Sequence, residues 1–194
     1  MNGRQFVEPI RSKAEINRVK DAMKADGNVK MLALFTLGIN TAMRISDLLS
    51  LRWENIVQRG KIQEKIQYKE GKTGKRRQIV FSNSVRTILG QLHNLEHGEY
   101  VFSNDVDRYS DEERPLTYVS VYRKLNYYIR ERAGIDIRVG CHTLRKTFAY
   151  HAFKAGYDIY IIQSLLNHST PAVTKRYVSL AQDELDGVYL AVDL

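Results

Sequence analysis

Residues 141–178, CHTLRKTFAYHAFKAGYDIYIIQSLLNHSTPAVTKRYV, decide how the chain is read, because they gather His142, Arg145, His168 and Tyr177 onto short, closely spaced helical segments. On a helix beginning near His142, the three-residue step to Arg145 sets imidazole and guanidinium on one face, while Leu144, Phe148, His151 and Ala155 mark an apolar stripe on another. One face is thereby free for chemistry. After Leu166, Asn167 stands where a helix takes a left-handed cap, and His168, Ser169, Thr170 and Pro171 read as a turn into the helix that carries Tyr177. The turn is expected to project His168 from the domain.

Working outward, residues 1–10 lack periodicity and contain Pro9, so they read as an extended lead-in. Ser12 with Glu15 makes a capping box, and Ile16, Val19 and Met23 mark an amphipathic helix ending near Gly27. From Val29 to Ile39 only Lys30 and Thr36 are polar, which predicts a central, buried helix. In TAMRISDLLSLRW, residues 41–53, Arg44 and Asp47 lie three apart among packing residues Ile45, Leu48, Leu49 and Leu51. The plain reading is a surface ion pair, worth only a few tenths of a kcal/mol. The functional one buries Asp47 as an orienting group.

Residues 55–82 change character, with β-branched residues, turn glycines and alternation in IQEKIQY and RQIVF, and they predict a small antiparallel sheet. Lys69, Lys72, Lys75, Arg76 and Arg77 crowd one hairpin, with Gly71 and Gly74 at its turn. This is either a charged, solvated hairpin or a finger laid on a phosphate backbone. A helix is expected from about Ser84 to Leu95, then a YVFS strand, then a polar acidic loop over 104–114 with no functional reading. Residues 117–133 predict one strong helix, with Val121, Tyr122, Leu125 and Ile129 as its core stripe and Arg123, Lys124, Arg130 and Arg132 facing solvent or DNA. In residues 181–194, Leu185, Val188, Tyr189 and Val192 fall at helical steps and give a final amphipathic tail.

Length bounds the architecture to one well-buried domain over residues 1–194, and no repeat or interdomain linker interrupts it. The 30 Lys and Arg outnumber the 22 Asp and Glu for a formal charge of +8, which favours a polyanionic partner over a mere solubility charge. One cysteine, Cys141, permits no intramolecular disulfide, and no charged-then-apolar leader is seen, so the chain reads as cytoplasmic. Its longest apolar run, Met31 to Phe35, is far short of the roughly twenty residues of a membrane span. Cys141 near a helix start invites a lowered thiol pKa, although a small packing residue is the commoner role.

Singly, these signals are weak, since an H-x-x-R pair is ordinarily a solvated or capping pair and Tyr177 is one of 12 tyrosines. The ordered set is specific. HTLRKTF, LLNHS and the following Tyr177, preceded by TAMRISDLLSLRW and EGKTGKRRQIVF, resembles the signature of the tyrosine recombinases, the phage integrase family. The resemblance implies a mainly α fold with a small antiparallel sheet, the catalytic-domain fold of that family of DNA breaking-rejoining enzymes. It implies catalytic Arg44, Lys72, His142, Arg145, His168 and Tyr177, with Asp47 orienting them, and no metal or other cofactor. Lys69, Lys75, Arg76, Arg77, Arg123 and Lys124 are the candidate DNA contacts.

Metal-free strand cleavage by an enzyme hydroxyl needs charge neutralisation on the phosphoryl oxygens, an in-line nucleophile and a proton for the departing 5′ oxygen. Two arginine forks suit the first need better than lysine point charges do. By resemblance, Tyr177 forms a 3′-phosphotyrosyl bond and Lys72 is the general acid, an ammonium whose pKa falls near other cations. His142 and His168 assist by hydrogen bonding and proton handling.

The family also implies double-stranded DNA as partner, a tetramer on paired sites, accessory DNA-bending proteins in some systems, and exchange of the C-terminal tail between neighbours. Many relatives carry a further N-terminal DNA-clamping domain, whereas this sequence begins almost at the catalytic part, as a compact recombinase or a fragment of a longer one would. Lys146 after the second arginine and Asn167 before His168 depart from the family's frequent basic residue and Gly. Two other readings stand beside the recombinase: a type IB topoisomerase, and a DNA-binding regulator that keeps the fold without the chemistry.

Overall fold

A computed structural model describes residues 7–95, 98–104 and 113–178. Helix α1, Lys13–Ala25, starts at the expected capping box, with Ser12 accepting from the Ala14 N–H and Glu15 reaching back to the cap, and it buries Ile16, Val19 and Met23. Helix α2, Val29–Thr41, is the central buried helix, packed against α1 and two helices described below, α5 and α7. Its one charged side chain, Lys30, reaches out to donate to the Ser103 carbonyl at 3.0 Å.

Close approach to α7 is made possible by Gly38, where an added Cβ would lie 2.6 Å from Leu144 Cδ1 and 3.1 Å from Leu144 Cβ. Left-handed Ala42 (φ 56°) then ends α2 and turns the chain so that Arg44 caps the short α3, Ile45–Leu49. Helix α4, Trp53–Ile56, follows directly.

The expected sheet is in fact two separate hairpins. β1, Val57–Gln58, pairs with β2, Lys61–Ile62, around Arg59 and Gly60, both at positive φ. β3, Lys65–Lys69, pairs with β4, Arg76–Val80, in the register Lys69↔Arg76 to Lys65↔Val80. Their period-two alternation serves one buried face that mainly takes Ile66, while the other stays in water. Helix α5, Asn83–His93, begins at Ser82 and buries Val85, Ile88, Leu89 and Leu92.

Two expectations change beyond α5. YVFS forms no strand; Val101 and Phe102 are fully buried, but the backbone makes only single bridges, Arg52↔Tyr100 and Ser103↔Pro115. Residues 117–133 are not one α-helix either: α6 spans Tyr118–Asn126, and Tyr127–Arg132 continues as a π-helix. The wider turn brings both Tyr128 and Ile129 inward, where Asn28 Nδ2 donates to the Tyr128 hydroxyl at 3.1 Å. Tyr122 is 43% exposed, because Val121 and Leu125 already take the core-facing i, i+4 positions.

Helix α7, His142–Lys154, follows, buried on most of its faces rather than along one stripe. Ala155 is exposed at its cap, and the His151 ring bonds the Ile10 carbonyl at 3.0 Å. Helices α8, Ile159–Leu166, and α9, Pro171–Val178, pack on each other and on α7. A satellite core of Ala42, Ala149, Ile162 and Leu166, with Phe148 and Tyr177 against it, joins them to the end of α2. The expected tail at 181–194, most of the acidic loop and residues 1–6 lie outside the described residues. Within the described residues, no helix is long and apolar enough to cross a membrane.

Candidate active site

The site forms where three helix ends meet. Arg145, on the first turns of α7 and only 3% exposed, donates from Nη1 to the Ala42 carbonyl at 2.6 Å and from Nη2 to the Leu166 carbonyl. Both acceptors sit at helix ends closed by a left-handed residue, Ala42 after α2 and Asn167 (φ 48°) after α8. Unpaired carbonyls at helix C-termini attract cations, so two helix ends orient one guanidinium and leave its remaining N–H groups for another acceptor. Burial first, and then the nearby Arg44, bring the Arg145 pKa down to about 10, which still leaves it cationic at neutral pH.

Arg44 lies beside this group with its side chain largely covered. Its Nη1 is 2.9 Å from Glu70 Oε1 and 3.9 Å from Asp47 Oδ2. Asp47 is 2% exposed, and its Oδ1 accepts the Gly71 N–H at 3.0 Å, so it ties the first motif to the lysine hairpin instead of forming a surface ion pair.

Sequence reasoning missed Glu70, which is also 2% exposed. It accepts from the Thr73 hydroxyl at 2.6 Å and from Asn167 Nδ2 at 2.6 Å. Burial pushes its carboxyl up, but the hydrogen bonds from Thr73, Asn167 and Arg44 outweigh it and hold the pKa below the ordinary value. One signal for Glu70 was present: it is the single acid within the cationic run KEGKTGKRR.

Tyr177, the penultimate residue of α9, places its hydroxyl 3.0 Å from His142 Nδ1. The His168 ring meets the Tyr177 ring edge-on at 4.4 Å between centroids. His168 is therefore half-buried and turned inward, not projected from the domain: its Nδ1 is 3.0 Å from the Thr174 hydroxyl, and its backbone N–H donates to the Gln163 carbonyl. Lys146, a departure in sequence, puts its ammonium 5.5 Å from the Tyr177 ring centre.

Cations and burial set the protonation states. Burial first, then Arg145, Lys146, Arg44 and Lys72, lower the His142 pKa, while burial and the two arginines take His168 down to about 4. Both imidazoles are neutral at neutral pH. Burial raises the Tyr177 pKa, and Arg145 and Arg44 offset only part of that, so the phenol keeps its proton. Burial also raises the Cys141 thiol to about 11, which makes it the packing residue.

The basic candidates divide by position. Lys69, Lys72, Lys75 and Arg76 are exposed on the hairpin, and Lys72 is near enough to His142 to act on its charge. Arg77 is not a free phosphate contact: it donates to the Ser164 carbonyl at 2.9 Å and the Leu165 carbonyl at 2.6 Å, which fastens β4 to α8. Arg132 is likewise engaged, with Asp26 at 2.6 Å. Arg123 and Lys124 are not brought to this site. Lys124 lines a depression with Asn28 and Val29, at the far end of α2 from Arg44, about 20 Å away along thirteen residues of helix.

A profile of the phage integrase family matches residues 12–184. The chain belongs to the phage integrase family. Within it, the chain is 34% identical over 188 residues to a probable integrase/recombinase YoeC of Bacillus subtilis, covering 95% of this chain and 96% of that protein. It is 28% identical to tyrosine recombinase XerC of Staphylococcus carnosus over 96% of this chain but 62% of the relative, so it spans a little under two thirds of that longer protein. Among solved structures, XerA recombinase superposes with a TM-score of 0.74 at 24% identity, covering 97% of this chain and 66% of that one. A post-cleavage complex of XerH recombinase with its difH substrate superposes at 0.72 and 18% identity, covering 96% of this chain and 53% of that one. These likenesses establish the phage integrase catalytic fold for this mainly helical chain.

Proposed function

We propose that the chain is the catalytic unit, over residues 1–194, of a site-specific DNA recombinase that cleaves and rejoins strands through a 3′-phosphotyrosyl intermediate. The observation that carries this reading is the 3.0 Å approach of the Tyr177 hydroxyl to a neutral His142 Nδ1, beside the buried Arg145 and the largely covered Arg44. Arg44 and Arg145 hold non-bridging oxygens of the scissile phosphate and stabilise the charge that develops there. Tyr177 Oη attacks phosphorus as its proton passes to His142, the bond from phosphorus to the 5′ oxygen breaks, and Lys72 protonates that oxygen. Rejoining reverses each transfer. The ester conserves the bond, so no energy source is required.

Double-stranded DNA is the substrate, held by the hairpin cations; XerH and lambda integrase among the solved relatives were captured on DNA. Assembly is as a tetramer on paired sites, with the apolar tail of residues 181–194 docked on a neighbouring protomer and accessory DNA-bending proteins assisting. The topoisomerase and regulator readings are not favoured: the relatives in hand are recombinases, and a regulator has no physical need for Tyr177 and Lys72 together.

The test uses a pool of nicked duplexes of randomised sequence, whose nick traps covalent products for denaturing electrophoresis and sequencing. Intact protein should yield an adduct at a 3′ phosphate, and Tyr177→Phe should bind the same duplexes without one. An undiminished adduct in Tyr177→Phe overturns the nucleophile assignment. For assembly, deleting residues 183–194 should preserve binding to one half-site and abolish cooperative binding to two. Cooperative pairing by the truncated protein would rule out tail exchange.

A further inference from the structure

Among the described residues, Glu70 is a buried acid that links its own hairpin to two other motifs. Its Oε1 lies 2.9 Å from Arg44 Nη1, and its Oε2 accepts from Thr73 and from Asn167, each at 2.6 Å. Its backbone also closes the hairpin end, with the Glu70 N–H donating to the Lys75 carbonyl at 2.9 Å and its carbonyl accepting from Gly74 at 2.8 Å. Lys72 therefore stands between two residues tied to one carboxylate, while Asp47 holds Gly71 from the other side. On α9's side of the site, Asn167 is the residue immediately before His168 and occupies a position where glycine is frequent in the family.

We propose that Glu70 and Asn167 form a strut that sets the reach of Lys72, making both of them positioning residues for the leaving-group proton transfer. A hairpin tip bearing several exposed lysines repels itself and has little apolar surface to hold it down. The strut supplies the missing anchor: one carboxylate joins the tip to Arg44, the proposed phosphate-gripping residue, and to the turn that carries His168. Asn167 also meets a backbone demand, since its left-handed conformation (φ 48°) suits Asn or Gly, and only Asn adds a donor. The inference rests on Lys72 as general acid, as proposed above.

Asn167→Gly tests it cleanly, because glycine takes the same backbone conformation and removes only the side chain. In the DNA-free protein, amide hydrogen exchange at Gly71, Gly74 and Lys75 should accelerate at least tenfold, with α2 amides unchanged. Unchanged exchange at the tip overturns the strut, whatever the activity. On a duplex recovered by the trapping experiment, Asn167→Gly should slow adduct formation more than tenfold, and a 5′-bridging phosphorothiolate, whose leaving group needs no acid, should restore most of that rate. Glu70→Ala with Asn167→Gly should be no slower than Glu70→Ala alone, since both break one bridge. Equal slowing of Asn167→Gly on both linkages overturns the proposal. Failure of Lys72→Ala to be restored by the phosphorothiolate would instead refute the acid assignment, with the exchange result still deciding the strut.

Discussion

At the scale of single residues, the site turns on which groups are neutral. His142 Nδ1 can take the Tyr177 proton only while unprotonated, and its pKa lies below the ordinary 6.5 through burial and four nearby cations. The competent, unprotonated form therefore predominates above pH 6.5 and is lost as pH falls through the lowered value. Single-turnover adduct formation should show an acid limb whose midpoint lies below 6.5. An acid limb centred above 6.5 would remove His142 from the role of base. Arg145 teaches a related lesson. The H-x-x-R spacing identified the residue, but the helix-end carbonyls of Ala42 and Leu166 that aim it come from positions 103 and 21 residues away in sequence.

At the scale of elements, α2 and α7 carry the site between them, and their spacing depends on Gly38. An alanine there gains about 1 kcal/mol of helix propensity. It also drives a methyl into Leu144, which is 1% exposed and has nowhere to move, at an overpacking cost of about 1–3 kcal/mol. The overlap wins. Gly38→Ala should lose up to about 2 kcal/mol in urea denaturation and slow adduct formation by displacing α7, which holds His142 and Arg145. A more stable variant would show that the two helices can separate without consequence. The π-turn at Tyr127–Arg132 makes the same point from the opposite direction, since periodicity alone predicted a continuous α-helix there.

At the scale of the whole molecule, the surplus of positive charge is not spread evenly in its effect. Lys75 and Arg76 point to solvent on the hairpin, whereas Arg77 is spent on the backbone of α8. Each phosphate neutralised contributes roughly 0.9 to the slope of log affinity against log salt. Lys75→Ala and Arg76→Ala should each lower that slope by about that amount, and Arg77→Ala should leave it unchanged while loosening the hairpin. A drop in slope for Arg77→Ala equal to the others would return it to the DNA-contacting set. Measurements of half-site binding over a range of salt concentrations decide this.

Local patterns carried a good part of the fold and of the site. The capping box at Ser12, the apolar run of α2, the left-handed cap at Asn167 and the cationic hairpin each depend on neighbours within a few residues, so all were legible in the amino-acid order. The candidate set Arg44, Lys72, His142, Arg145, His168 and Tyr177 was also proposed from the amino-acid order, because its order and spacing along the chain resemble the family signature. Tertiary packing alone decided that Glu70 lies beneath Arg44 and that His168 turns inward. It alone engaged Arg77 with the backbone of α8 and Arg132 with Asp26. Each of these depends on a partner distant in sequence, and a buried charge is stable only where such a partner meets it.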